Sequence, residues 1–319
     1  MNIKLHPYQL EFVFPFRIAH GVRTHTDAVF VELECDGVRA FGEATLPPYL
    51  PYTQASTMAC LSKLDLSKVI FPFETKQVLA EMNVRDSTME PPAMAALDMA
   101  LWTLEAKMKG TSITALLGID AIDKAIRTYT ISYCGRNEMA ERIVYGRKNG
   151  FDTFKLKLNG IDDRQILKDF RSLSDAPFAV DANQAWTDLD KSIVFARELE
   201  AEGCMLIEQP FSKDDLINTQ KLGHKLSIPI IADEACQTIE DIDTVKGYFS
   251  GINVKLQKCG GITPAFEMIK YAKSLGLQVL IGCMSESAIG CGAGEVLSPL
   301  CDWNDLDGSY LVKEVPFKN

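Results

Sequence analysis

Phe154-Lys155-Leu156-Lys157, Phe178-Ala179-Val180-Asp181-Ala182-Asn183, Met205-Leu206-Ile207-Glu208-Gln209-Pro210, Ile230-Ile231-Ala232-Asp233-Glu234 and Ile252-Asn253-Val254-Lys255 are five apolar runs in series. Each ends in a residue able to do chemistry. The charged residues at 155, 181, 208, 233 and 255 lie 26, 27, 25 and 22 positions apart. That interval is the length of one strand, one helix and two short loops, so the stretch reads as repeated βα units. Charges at the carboxyl ends of successive parallel strands are where a barrel carries its active site. A doubly wound sheet would need a glycine-rich phosphate loop after its first strand. None is present there, and Cys291-Gly-Ala-Gly294 comes too late in the chain. The barrel is the better reading.

Helices fit between these strands near 137–148, 162–174, 187–202, 214–226, 239–248, 263–275 and 286–297. Ile126 to Tyr133 reads as the first barrel strand, Gln278 to Gly282 as the seventh and Leu300 to Asp305 as the eighth. Upstream the texture differs. Ala28 to Glu34, a tight turn at Asp36-Gly37 and Val38 to Ala44 form a hairpin signal, with Leu5 to Val13 as a third antiparallel strand. Phe14 to Thr26, with Arg17, His20, Arg23 and His25, reads as a loop, and so does the proline-rich Leu46 to Tyr52. Helical patterns follow at 53–66, 74–83 and 91–109; the last begins at Pro91-Pro92 and stops at Gly110.

Composition narrows the function. The 319 residues carry a formal net charge of −10 and no lysine- or arginine-rich run, which argues against nucleic acid and anionic membranes as partners. Nine scattered cysteines without a CxxC pair point to reduced thiols and a cytoplasmic protein. No apolar run is long enough to span a bilayer, and Met1-Asn2-Ile3-Lys4 leads into a strand without a signal-peptide core.

Asp181, Glu208 and Asp233 stand at equal height in successive units. Three converging carboxylates repel one another unless a cation lies between them, and an all-oxygen ligand set suits Mg²⁺. Helix capping by the same acids is the plainer alternative, but glutamate is a poor N-cap. The four histidines are dispersed and no HExxH occurs, so zinc is disfavoured. By strand parity Asn183 shares a face with Asp181, and Lys155 shares one with Lys157. Two ammonium groups on one face, near a divalent cation, each disfavour protonation of the other, which makes lysine a usable base. Lys255 is expected to face them from across the site.

Lys-x-Lys, Asp-Ala-Asn, Glu-Gln-Pro, Asp-Glu and Lys at successive strand ends resemble the enolase superfamily, muconate-lactonising subgroup. Ala96-Leu-Asp-Met-Ala-Leu-Trp102 and Gly260-Gly261-Ile-Thr match the same subgroup, so the resemblance spans essentially the whole chain. It implies an α/β fold, a modified TIM barrel of (β/α)₇β type over residues 121–305. An α+β capping domain over 1–120, completed by the tail 306–319, would carry Phe14–Thr26 and Leu46–Tyr52 as lids that choose the substrate. One Mg²⁺ per subunit on Asp181, Glu208 and Asp233 would stabilise an enediolate while Lys157 and Lys255 act on opposite faces of the α-carbon, the pairing of base and Mg²⁺ known for enolase-type sites.

Within the subgroup, Asp305-Leu306-Asp307-Gly308 resembles the Asp-x-Asp pair with which dipeptide epimerases hold the substrate's α-ammonium group. The implied reaction is epimerisation of an Ala-Xaa dipeptide at its C-terminal residue. Arg23 would favour an acidic Xaa; Phe14, Ile18, Val22 and Tyr52 would favour an apolar one, and a solvated Arg23 tips the expectation toward a small or hydrophobic residue. Lys155, Thr130 and Ser285 are further candidate substrate contacts, and Glu234 joins Asn183 as a candidate support for the metal ligands. A homo-oligomer is expected. Alternatives are an N-acylamino acid racemase, an o-succinylbenzoate synthase, a muconate-type cycloisomerase, another metal-dependent barrel enzyme, and a catalytically silent barrel.

Overall fold

A computed structural model describes residues 1–18, 21–81, 89–120, 126–132 and 134–319. The chain opens with three antiparallel strands, β1 (Asn2–Ile18), β2 (Gly21–Cys35) and β3 (Val38–Leu46). Helices α1 (Gln54–Leu61), α2 (Thr75–Glu81), α3 (Pro91–Lys109) and α4 (Ile113–Leu117) follow. The barrel then alternates: β4 (Ile126–Ile131), α5 (Arg136–Lys148), β5 (Thr153–Lys157), α6 (Asp163–Leu173), β6 (Phe178–Asp181), α7 (Leu189–Ala201), β7 (Cys204–Glu208), α8 (Leu216–Gly223). It continues with β8 (Ile230–Ala232), α9 (Asp241–Val245), β9 (Gly251–Lys255), α10 (Leu256–Cys259), α11 (Ile262–Ser274), β10 (Gln278–Gly282), α12 (Ala288–Glu295), β11 (Trp303–Asp305) and α13 (Gly308–Leu311).

β4 to β11 close into one barrel in sequence order, every neighbouring pair parallel. Strand alternation decides its filling. Phe154, Leu156, Val180, Ile207, Val254 and Ile281 are buried against the surrounding helices. The opposite parity points inward: Ala179, Leu206, Ile231 and Leu280 form a small apolar floor. Asp181, Glu208 and Asp233 stand two residues later on the same faces, one layer higher. A barrel interior packs in such layers, and its carboxyl-end layer is the reactive one.

The cap is pinned to that end by buried carboxylates. α3 starts at Pro91-Pro92 and ends where Gly110 adopts a left-handed conformation (φ 63°), as the sequence predicts. It is buried around most of its circumference because β3 covers one side and the barrel another. From it Asp98 accepts from the N–H groups of Ile262 (2.6 Å) and Thr263 (3.3 Å), capping α11, while Trp102 Nε1 donates to Thr263 Oγ1 at 2.9 Å. Gly261 (φ 120°) makes this approach possible: a Cβ there would lie 2.6 Å from the Cβ of Asp98. Glu43 of β3 likewise accepts from the N–H groups of Ser287 (2.9 Å) and Gly290 (3.1 Å) at the start of α12. Gln257 bridges to Thr45 N and Glu43 O. The C-terminal residues return to the cap, where Phe317 packs on Phe30, Tyr8 and Phe41.

Several expectations need correction. Phe14–Thr26 is not a loop; β1 and β2 continue pairing to its tip, with Phe16 opposite Arg23 and Ile18 opposite Gly21. Its polar and aromatic content reflects a hairpin that leaves the sheet, so its two faces no longer read as core and solvent. His20 lies outside the described residues, as does Tyr133 at the end of the expected first strand. The last strand is only Trp303–Asp305, because Ser298–Leu300 forms a 3₁₀ turn instead. The helices α4, α10 and α13 are too short for their periodicity to show. No helix among the described residues is long and apolar enough to cross a membrane.

Candidate active site at the barrel mouth

Closure gives the strand-end residues their relative positions. In an eight-stranded ring, β5 and β9 are four strands apart, so Lys157 and Lys255 stand on opposite walls. Asp181, Glu208 and Asp233 occupy the arc between them, on β6, on β7 and just after β8. Across from Glu208 lies β11, which carries Asp305. Two axes therefore cross at the mouth, one of lysines and one of acids.

The triad is fully or almost fully buried, and its carboxylates each present an oxygen within 4.8 Å of the others. Every ligand candidate is an oxygen, the donor set of a hard divalent cation. Asn183 Oδ1 and Glu234 Oε2 beside it are buried without a hydrogen-bond partner among the described residues, which is where further polar contacts of a hydrated cation would go. The residues present therefore fit a metal. In this structure lysines supply the positive charge. Lys157 Nζ donates to Asp181 at 2.5 Å, Lys255 Nζ to Asp233 at 2.7 Å, and Lys155 Nζ to Glu208 at 3.1 Å and to Asp305. Burial works against the charges of Lys155 and Lys255, but Asp305 and Asp233 outweigh it and hold both well above the usual lysine range. Lys155 is thus a salt-bridged ammonium spanning the floor from Glu208 to Asp305. Burial, then the charge of Asp181, pushes Glu208 up to about 7.

Other residues shape the triad. Gln209 Oε1 accepts from the N–H groups of Asp233 and Ala235, both at 3.0 Å, fixing the turn after β8. Lys258 Nζ donates to Asp233 Oδ1 (2.6 Å), Asp233 O (2.7 Å) and Cys236 O (3.2 Å). Asn253 Nδ2 donates to Glu208 Oε1 at 2.7 Å. Asn253 was open to inference, being two residues before Lys255 and on the same face. Lys258 was not, because it lies on a four-residue helix with no readable period. Asn183 reaches the site otherwise than expected: β6 ends at Asp181, and a left-handed turn (φ 43°) sends Asn183 to Glu234 at 3.2 Å.

Asp307 also lies beyond its strand, so parity does not place it. It accepts from the Thr130 N–H at 2.5 Å, and burial, then the charge of Asp305, pushes it up to about 7. Asp305 accepts from Thr128 Oγ1 at 2.7 Å as well as from Lys155. Together Lys155, Lys157, Lys255, Asp307, Thr130 and Ser285 line a cavity of about 300 Å³, whose outer wall includes Phe16, Arg23 and Tyr49. Arg23 is not solvated as expected. Its Nε and Nη1 are buried with no hydrogen-bond partner, and no carboxylate among the described residues pairs with it.

The mouth of this parallel barrel thus carries a buried acid triad able to hold a metal ion, flanked by opposed lysines, the layout of an α/β-barrel enzyme. The chain belongs to the enolase superfamily: residues 2–118 match the mandelate racemase / muconate lactonizing enzyme N-terminal domain, and residues 138–295 the enolase C-terminal domain-like family. It is an isomerase of the racemase and epimerase kind. It is 34% identical to the L-Ala-D/L-Glu epimerase of Bacteroides thetaiotaomicron, over 100% of this chain and 82% of that protein. Among solved structures it resembles the dipeptide epimerase of Enterococcus faecalis complexed with Mg and L-Leu-L-Tyr. The TM-score is 0.88 at 28% identity, covering 98% of this chain and 92% of that one. A substrate-liganded L-Ala-D/L-Glu epimerase from Bacillus subtilis gives a TM-score of 0.86 at 26% identity, with 98% and 91% covered.

Proposed function

We propose that the protein epimerises dipeptides at the α-carbon of the C-terminal residue, and that L-Ala-L-Glu is the type of substrate it takes. The crossed arrangement of lysines and acids carries this reading. A dipeptide laid along the acid axis has its carboxylate toward Asp181, Glu208 and Asp233 and its ammonium toward Asp307. Its C-terminal α-carbon then lies on the lysine axis, with Lys157 on one side and Lys255 on the other. One lysine, in its neutral form, takes the α-proton; the opposite one, as an ammonium, returns a proton to the other face, and the centre is inverted. Asp181 and Asp233, when engaged on a cation, would release the lysines they hold here. Mg²⁺ bound by Asp181, Glu208 and Asp233 would supply the positive charge that makes a proton beside a carboxylate acidic enough to remove.

Asp307 is the better candidate for the ammonium, because Asp305 already balances Lys155. A cation beside Asp307 favours its ionised form and makes a charge-assisted contact of about 1.5–3 kcal/mol, absent with N-acylated substrates. Arg23, half-buried and without an acid partner among the described residues, favours an acidic side chain on the epimerised residue, against the small or apolar residue expected when Arg23 was taken as solvated. The relatives that act on L-Ala-L-Glu agree with this choice, although the Enterococcus protein binds L-Leu-L-Tyr.

The test is deuterium incorporation at the α-carbon across a dipeptide panel in D₂O. L-Ala-L-Glu should exchange and epimerise fastest, and Asp307→Asn should slow free dipeptides by about 10-fold or more. Faster turnover of N-acetyl or N-succinyl amino acids would move the protein to the acylamino acid racemases.

A further inference from the structure

The guanidinium of Arg23 is held by rings. Its Cζ lies 5.4 Å from the centroid of Phe12, 5.6 Å from that of Phe16 and 5.6 Å from that of Tyr49. Phe16 is its cross-strand partner, and the register irregularity between Glu11 and Phe16 brings the two phenylalanines to bear on one side chain. Phe12 and Phe16 pack on each other at 5.9 Å. Tyr49 comes from a different segment, the loop between β3 and α1. Its hydroxyl donates to Met284 Sδ at 3.2 Å, which ties the ring to the barrel loop beside Ser285.

Resting on the reading of Arg23 above, we propose that Tyr49 is a specificity-determining positioning residue: with Phe12 and Phe16 it forms an aromatic cage that fixes the plane of Arg23 for a substrate side-chain carboxylate. The chemistry of the guanidinium supports this division of labour. Its faces are attracted to the electron-rich faces of rings, and its N–H edges match a carboxylate in two parallel hydrogen bonds. A protein carboxylate placed beside Arg23 would orient it but would also neutralise it and compete with the substrate. Rings orient it while leaving its charge uncompensated. Nε and Nη1 are both buried without an acceptor among the described residues, so the site holds a cation already stripped of water on those edges. Tyr49 reaches from the cap to the barrel through Met284, so the cage is complete only when the two are docked.

The experiment compares kcat/KM for L-Ala-L-Glu and L-Ala-L-Gln, which differ by one charge at nearly constant shape, in the wild type and in Tyr49→Phe, Tyr49→Leu and Arg23→Met. The wild type should prefer the glutamate substrate. Tyr49→Leu should lower that preference about 3- to 30-fold, chiefly through KM for L-Ala-L-Glu, whereas Tyr49→Phe, which keeps the ring, should retain it. An unchanged preference in Tyr49→Leu while Arg23→Met abolishes it overturns the cage and leaves the role of Arg23 standing. Equal losses in Tyr49→Phe and Tyr49→Leu would assign the effect to the hydroxyl, and equal slowing of both substrates would assign it to general packing; either overturns the proposal. A wild type without preference for glutamate overturns the reading of Arg23 itself.

Discussion

Lys255 donates to Asp233 at 2.7 Å on one side of the barrel mouth, and Lys157 donates to Asp181 at 2.5 Å on the other. Each proposed base therefore rests on a proposed metal ligand. Burial works against the charge of Lys255, but Asp233 outweighs it and holds Lys255 above the usual lysine range, so Lys255 becomes a base only when Asp233 is engaged elsewhere. Burial alone would raise Asp233, but Lys255 and Lys258 hold it well below the usual carboxylate range, so it is an anion ready for a cation. Occupancy of the triad and availability of the bases are thus coupled through shared oxygens.

Removal of the central ligand should uncouple them. Glu208→Gln is expected to keep the fold, since the amide is nearly isosteric, yet to bind Mg²⁺ at least about 10-fold more weakly by calorimetry. Its epimerase activity should fall below detection. Full turnover by stripped wild-type enzyme in excess chelator would refute the metal site.

The opposed lysines make a sharper prediction about isotopes. Lys157→Ala and Lys255→Ala should each lose epimerisation by about 10²–10⁴-fold. Each variant should still exchange the α-proton of the one stereoisomer whose proton faces the remaining lysine, and the two variants should choose opposite stereoisomers. NMR of L-Ala-L-Glu and L-Ala-D-Glu in D₂O reads this directly. Normal interconversion by both variants would mean that the proton is moved by something else.

Asp98 predicts a pH effect on stability. Burial pushes it up to about 7, against an ordinary value of 3.8, despite its contacts to Ile262, Thr263 and Trp102. The folded state therefore holds a proton between those values that the unfolded chain has lost. Folding stability from this group is greatest below 3.8, declines as pH rises through the interval, and levels off above 7, with a slope of at most about 1.4 kcal/mol per pH unit. Asp98→Asn cannot ionise and keeps an oxygen for the α11 N–H groups. Urea unfolding at pH 5 and pH 8 should show a smaller difference in Asp98→Asn than in the wild type. An equal difference would show that Asp98 does not titrate in that range.

Strand-end chemistry was readable from the chain because side chains alternate with period 2 and the βα unit repeats near 25 residues. Those two regularities are local, and they put Asp181, Glu208, Asp233, Lys157 and Lys255 at one height before any coordinates are known. Ring closure is not local. Which lysine opposes which, and that Asp305 would meet Lys155 across 150 residues, follows only from eight strands returning on themselves. The hairpin tip misled for a related reason. Arg23 stands in a stretch whose polarity looks solvent-facing, and only the bulge in β1, the pairing with Phe16 and the approach of Tyr49 surround its guanidinium with rings. Helix starts capped from afar were likewise hidden: Asp98 meets Ile262 over a separation of 164 residues, at a glycine whose missing side chain makes room. Short-range periodicity is written in neighbouring residues, whereas burial and charge compensation depend on which distant residues the closed fold brings within a few ångströms.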